Sequence, residues 1–177
     1  MAEEILIAAD HAGYELKRKL ETELKKLGMG VKDLGTDSPD STDYPDFAHP
    51  LAKEVSEGRA KRGILVCGTG LGMSYVANRY PHVRAAVTWS PEIAALARSH
   101  NDANVLVLPS RFVSDDEAVK ILRTWLETPF EGGRHERRVV KIEAEEKARG
   151  QKPKAKTRKP KGKGQRPKAR SRTRKGR

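Results

Sequence analysis

The sequence predicts an α/β domain in three layers, a five-stranded parallel sheet flanked by helices, and three observations carry that expectation. Apolar runs of strand length alternate five times with stretches whose apolar residues recur at helical spacing. The runs are continuous in hydrophobicity, as expected of parallel strands covered on both faces. At 177 residues the chain is long enough for one domain with a proper core and too short for two of ordinary size.

The first strand is Ile5 to Ala9, ending in Asp10-His11-Ala12-Gly13. From Tyr14 to Leu27 an amphipathic helix follows, with Leu16, Leu20, Leu24 and Leu27 on one face and Gly28 as its stop. Met29 to Leu34 reads as a second strand, and Gly35 to Asp46, with Ser38-Pro39-Asp40 and Tyr44-Pro45, as a polar turn-rich segment. Phe47 to Glu57 forms a helix closed by Gly58; Gly63 to Val66 is the third strand and Leu71 to Asn78 the next helix. Val83 to Thr88 is a fourth strand. Ser90-Pro91 then opens a helix running to about Ser99, with a capping hydroxyl and a proline at its first position. Asn104 to Leu108 is the fifth strand. The capping box Ser114-Asp115-Asp116-Glu117 starts a helix with the buried stripe Val119, Leu122, Trp125 and Leu126. A last helix, Arg134 to Ala148, has only Val139, Val140 and Ile142 as apolar residues, which suggests packing on a partner subunit.

Charge divides the chain at the end of that helix. Of 36 basic and 24 acidic residues, fifteen basic and no acidic ones lie from Arg149 to Arg177, so residues 1–148 carry a net charge of −3. The basicity belongs to the tail. Its Lys, Arg, Pro and Gly, without aromatic or large aliphatic residues, cannot offset the entropy of ordering, so residues 149–177 are expected to be a disordered Lys/Arg-rich extension of a 1–148 domain. Such a segment attracts polyanions, nucleic acid included, through counterion release, and is equally intelligible as a solubilising extension. A single cysteine leaves no internal disulfide, the acidic start Met1-Ala2-Glu3-Glu4 is unlike a secretion signal, and no stretch approaches a membrane span. The expected setting is cytoplasmic.

In parallel α/β sheets ligands bind beyond the carboxyl ends of the strands, so chemistry is sought there. After the first strand lie Asp10 and His11; after the third, Cys67-Gly68-Thr69-Gly70-Leu71-Gly72; after the fifth, Arg111; and His100 and Asn101 end the helix before the fifth strand. A buried, unreactive thiol is the common fate of a cysteine. Three glycines within five residues argue otherwise for Cys67, because they let the main chain approach a ligand and take positive φ beside backbone N–H groups able to lower a thiol pKa. A nicotinamide site is disfavoured, since the spacing is GxGxG and the next strand ends in Val87-Thr88-Trp89 with no carboxylate for a ribose; the Walker pattern is absent. Asp10-His11 could be only a helix cap with a solvated imidazole, and His100-Asn101-Asp102 only a polar helix end. Arg134 and Arg138, one helical turn apart, can face a single anion or be ordinary surface charges.

Taken in order, Asp10-His11-Ala12-Gly13, Thr42-Asp43-Tyr44-Pro45, Cys67 to Gly72, His100-Asn101-Asp102-Ala103-Asn104 and Gly132-Gly133-Arg134-His135-Glu136-Arg137-Arg138 resemble the type B ribose-5-phosphate isomerases, a family that also holds galactose-6-phosphate and allose-6-phosphate isomerases. The resemblance covers residues 4 to about 148. It implies a Rossmann-like sheet and a metal-free, cofactor-free aldose–ketose isomerase of the non-oxidative pentose phosphate branch. It also implies a homodimer or dimer of dimers with sites at the subunit interface. By the same resemblance, Cys67 is the base that moves a proton between carbons 1 and 2, and His100 the acid that opens the furanose. Asp10, His11, Gly68, Thr69, Gly70, Leu71, Gly72 and Asn101 bind substrate, Arg134 and Arg138 bind its phosphate, and Tyr44, Ser74 and Arg111 are neighbours. One branch of the family uses a glutamate at the helix start as base; Met73 stands at that position here, which places this chain in the cysteine branch. Residues 149–177 have no counterpart in the pattern. The expected reaction converts D-ribose 5-phosphate to D-ribulose 5-phosphate. A six-carbon sugar phosphate, or a sugar-phosphate-binding module that associates with nucleic acid through its tail, are the alternatives.

Overall fold

The computed structural model describes residues 3–150, and their side chains as far as Glu143. Five strands, β1 (Glu4–Ala9), β2 (Gly30–Asp33), β3 (Arg62–Cys67), β4 (Ala85–Val87) and β5 (Val105–Pro109), form one parallel sheet in the order β2-β1-β3-β5-β4. The helices are α1 (Tyr14–Lys26), α2 (Pro45–Ser56), α3 (Leu71–Ala77), α4 (Pro91–Asn101), α5 (Asp115–Glu127) and α6 (Arg134–Gly150). Among the described residues none is long and apolar enough to cross a membrane.

The period of two along each strand sorts its side chains between two cores. Ile5, Ile7, Ala9, Ile64, Val66, Leu106 and Leu108 point to the face packed by α1 and α5, whose Trp125 is fully buried. Leu6, Ala8, Leu65, Cys67, Val105 and Val107 point to the opposite face, against Leu51, Ala52 and Val55 of α2 and Met73 and Ala77 of α3. The three-layer α/β expectation is met, and the strands are buried on both faces, which is why their sequences read as unbroken apolar runs.

Several boundaries differ from the sequence-based expectation. Cys67 is the last residue of β3 rather than the first of the turn, paired in register with Pro109. The helix expected from Phe47 begins at Pro45, which occupies its first turn. Strand β4 keeps only three of the six expected residues. The buried stripe of α5 is Ala118, Ile121, Leu122 and Trp125, rotated from the expected one, with Val119 and Leu126 only half-buried. Helix α6 continues to Gly150, past the expected end at Ala148. Of the tail expected to be disordered and polyanion-binding, residues 149–177, the first two end α6 and 151–177 lie outside the described residues.

The sheet order places a topological switch between β1 and β3: the connection from β1 leads outward to β2, those from β3 outward through β4 and β5. The crevice beyond the carboxyl ends of two such strands is where this architecture binds ligands. Asp10-His11 and the glycine turn follow these two strands.

Candidate active site

A cleft of about 180 Å³ opens at the switch point, lined by Asp10, His11, Ala12, Tyr44, Cys67, Gly68, Thr69, Gly72 and Arg111. Each wall has a local cause. Asp10 caps the one-turn helix His11–Gly13, its Oδ1 accepting from the amides of Ala12 at 3.0 Å and Gly13 at 3.1 Å. An added Cβ at Gly13 would lie 2.5 Å from the Val66 carbonyl oxygen, so a glycine is what lets this turn pack against the end of β3.

The loop between β2 and α2 is tied to the end of β1. Ala9 donates to Gly35 O at 2.7 Å, Thr36 donates to Ala9 O at 2.8 Å, and the buried Lys17 ammonium donates to Thr36 O at 2.8 Å while pairing with Asp33. That anchoring delivers Thr42 and Tyr44 to the cleft. The Thr42 amide donates to His11 Nδ1 at 3.2 Å, which in the neutral ring leaves the proton on Nε2. The Thr42 carbonyl, 3.3 Å from the same nitrogen, can accept from it once the ring is charged. The Tyr44 ring lies over Gly72 so closely that a Cβ there would sit 2.7 Å from Cζ.

Cys67 is 4% exposed, and the amide of Gly70 donates to its Sγ at 3.2 Å. Gly70 reaches that position with φ of 75°, a backbone conformation suited to glycine. Arg111 follows β5, held by its own amide to Gly68 O at 3.1 Å, with its guanidinium packed on Gly68. Met73, at the alternative base position, is fully buried in the core and takes no part in the cleft. Nor does Ser74, whose hydroxyl donates to Leu71 O at 3.1 Å within its own helix; Gly70 and Leu71 shape the turn without lining the cleft.

The remaining expected residues form a second cluster. His100 and Asn101 are at the C-terminus of α4, and α4 runs antiparallel to the strands, so its last turn lies toward the amino end of the sheet. Eleven residues at 1.5 Å each put about 16 Å between its two ends. No residue of α4 or α6 lines the Cys67 cleft; Asn101 instead borders a groove of about 530 Å³ with Tyr80, Ile142 and Glu143. The imidazole of His100 stacks on that of His135, centroids 4.2 Å apart and planes 5° from parallel. The Arg134 Nε donates to His135 Nε2 at 3.3 Å, and Arg138 is exposed one turn further along α6. His135 is buried, and the sequence reading did not single it out. Its i, i+4, i+7 spacing with Val139 and Ile142 was the available signal.

His100, Glu131 and His135 are the one grouping of metal-ligand type among the described residues. Its geometry does not suit a cation. A metal bound by two imidazoles lies in both ring planes, and these planes are parallel, while the Arg134 guanidinium already occupies His135 Nε2. In a larger hollow of about 750 Å³ the arginines are already paired, Arg62 with Glu3 and both Arg84 and Arg98 with Asp102.

An α/β domain with a thiol, an imidazole and a guanidinium around a cleft at its switch point defines a protein that handles a small polar, anionic ligand. The model of the family described as Ribose/Galactose Isomerase matches residues 5–142, and the chain belongs to that family. A probable ribose-5-phosphate isomerase B from Mycoplasma genitalium is 48% identical over 144 residues, 80% of this chain and 95% of the relative. The ribose-5-phosphate isomerase B of Escherichia coli is 43% identical over 145 residues, 82% of this chain and 97% of the relative. Among solved structures, a Thermotoga maritima ribose 5-phosphate isomerase superposes with a TM-score of 0.79 at 51% identity, covering 81% of this chain and 99% of that one. The Mycoplasma genitalium enzyme with bound ribulose-5-phosphate superposes at 0.80 with 46% identity, covering 83% and 98%.

Proposed function

We propose that this chain interconverts D-ribose 5-phosphate and D-ribulose 5-phosphate, a step of pentose phosphate metabolism, through an enediolate with Cys67 as base. The observation that carries the role of Cys67 is its sulfur in the cleft wall with the Gly70 amide aimed at it. Opening the furanose moves a proton from the O1 hydroxyl to the ring oxygen O4, and His100 is the acid assigned to O4. The Cys67 thiolate then takes the proton from carbon 2 of the aldose as negative charge gathers on O1; the thiol, whose proton exchanges with solvent, delivers one to carbon 1, and the O2 proton passes to O1 as the ketose forms. A carbon acid beside a carbonyl is weak, so base and charge-stabilising donors must act together. The turn amides beside Cys67 and the His11 Nε2–H are the donors within the cleft. Phosphate binding by Arg134 and Arg138 supplies binding energy remote from the reacting carbons that orients them for transfer.

The cleft of about 180 Å³ is smaller than the roughly 300 Å³ at which small-molecule sites begin. Two copies complete it: one contributes Asp10, His11, Cys67 and Arg111, its partner His100, Asn101, Arg134 and Arg138. Exposed apolar side chains on the elements bearing each part, Leu71, Tyr75 and Phe112 near the cleft and Leu96, Val140 and Ile142 on α4 and α6, support an interface between copies.

Ribose 5-phosphate turned over in heavy water tests the route. Deuterium is expected on the substrate carbon that exchanges, and Cys67→Ala, retaining its fold by circular dichroism, is expected to lose about 10³-fold or more in kcat. Near wild-type turnover in that variant refutes the base assignment. Parallel kinetics on allose 6-phosphate separate five-carbon from six-carbon preference.

A further inference from the structure

The imidazole pair where α4 meets α6 holds a residue that the reading above leaves without a task. The His135 side chain is 7% exposed and that of His100 37%, so the buried ring is a floor on which the accessible ring lies. Glu131 Oε2 is 3.6 Å from His135 Nε2 and 4.0 Å from His100 Nε2, and the main chain secures this loop, with the Glu131 amide donating to Ser99 O at 3.0 Å. Arg134 Nε donates to His135 Nε2 at 3.3 Å. One buried ring therefore touches two of the four side chains assigned to substrate from this end of the molecule, His100 and Arg134.

We propose that His135 is a positioning residue for the isomerisation: its ring face fixes the plane of His100, and its Nε2 holds the Arg134 guanidinium, so that the ring-opening acid and a phosphate ligand keep one spacing. The proposal rests on the assignment of His100 as the acid. Accepting from Arg134 requires an unprotonated Nε2, and the surroundings favour that form. Burial pushes the His135 pKa below the ordinary imidazole value, the charges of His100, Arg134 and Arg138 act in the same direction, and Glu131 opposes them. A charged His135 would lie face to face with the His100 ring at 4.2 Å, beneath the very group assigned to give a proton to O4.

The test compares His135→Ala, His135→Phe and His100→Asn on two reactions. Turnover of ribose 5-phosphate requires ring opening; deuterium exchange into ribulose 5-phosphate does not, because a ketose with its 5-hydroxyl phosphorylated has no furanose to open. His135→Ala is expected to lower kcat on ribose 5-phosphate about tenfold while exchange into ribulose 5-phosphate keeps a kcat within about threefold of wild type, the cost of a misplaced acid. His135→Phe, which keeps a ring face but no acceptor, is expected to restore that kcat to within about threefold and leave KM raised about fivefold for both sugars, as a loosened phosphate ligand would. Equal losses of kcat in both reactions for His135→Ala, or no change in either, overturn the proposal. Should His135→Ala not fold, an unchanged KM in His135→Phe overturns it and a raised KM with kcat kept supports it. Full ribose 5-phosphate turnover in His100→Asn refutes the acid assignment instead, whatever the His135 variants do.

Discussion

Gly70 holds two features of the cleft at once, since its positive φ turns the chain after β3 and its amide meets the Cys67 sulfur. A Cβ there would lie 2.9 Å from Val87 Cγ1. Gly28 has the same φ of 75° with nothing within 4 Å of a Cβ. Gly28→Ala is therefore expected to cost the backbone strain alone, about 1–2 kcal/mol, and Gly70→Ala that plus a steric clash, about 2–4 kcal/mol in all, with turnover falling only in the latter. Urea denaturation beside steady-state kinetics checks both. At this scale Asp10, His11, Cys67 and Arg111 were legible in the sequence, because the ends of parallel strands are where polar residues meet ligands and each follows a recognisable apolar run. Ser74 was placed in the site by resemblance and spends its hydroxyl inside α3. His135 escaped notice because its burial depends on α6 docking against α4, a contact between elements far apart in the strand order.

Glu3 shows how an element is held in register. Arg62 Nε and Nη2 bridge its two carboxylate oxygens at 2.9 and 2.6 Å, joining the start of β1 to the start of β3. That hydrogen-bonded pairing holds the Glu3 pKa below the ordinary glutamate value. A carboxyl depressed in the folded state adds stability above its unfolded pKa and loses it as pH falls through the folded one. Glu3→Gln is thus expected to cost under about 1 kcal/mol at neutral pH, a difference that vanishes below the carboxylate range; thermal melts across pH measure it, and a pH-independent difference contradicts it. The type and order of the elements were readable because strand runs and helical periods differ sharply. Their edges were less so. Pro45 looked like part of a turn, though proline suits a helix's first turn. The α5 stripe was misphased because Ala118 and Ile121 carry the buried face while Leu126 sits half out. Strand β4 is a short sheet edge: just before it the Arg84 amide donates to the Asn104 side chain rather than to a main-chain carbonyl.

Across the whole molecule, the two groups of candidate site residues occupy opposite ends of a parallel sheet, and α4 alone spans about 16 Å between them. The sequence contained both groups but not their separation, which follows from helices running antiparallel to strands. Relatives are matched over 95% and 97% of their length by 80% and 82% of this chain, which predicts that turnover does not need the basic extension. A chain ending at Gly150 is expected to keep its turnover and to lose salt-sensitive retention on heparin; lost turnover contradicts the independence of the two parts. The central claim is that Cys67 of one copy and His100 of another share one site. Cys67→Ala and His100→Asn chains, each inactive alone, are refolded together in equal amounts and assayed on ribose 5-phosphate. Random pairing makes half the dimers mixed, each with one intact site, so the mixture is predicted to recover about a quarter of wild-type activity. A mixture as inactive as its components contradicts the account.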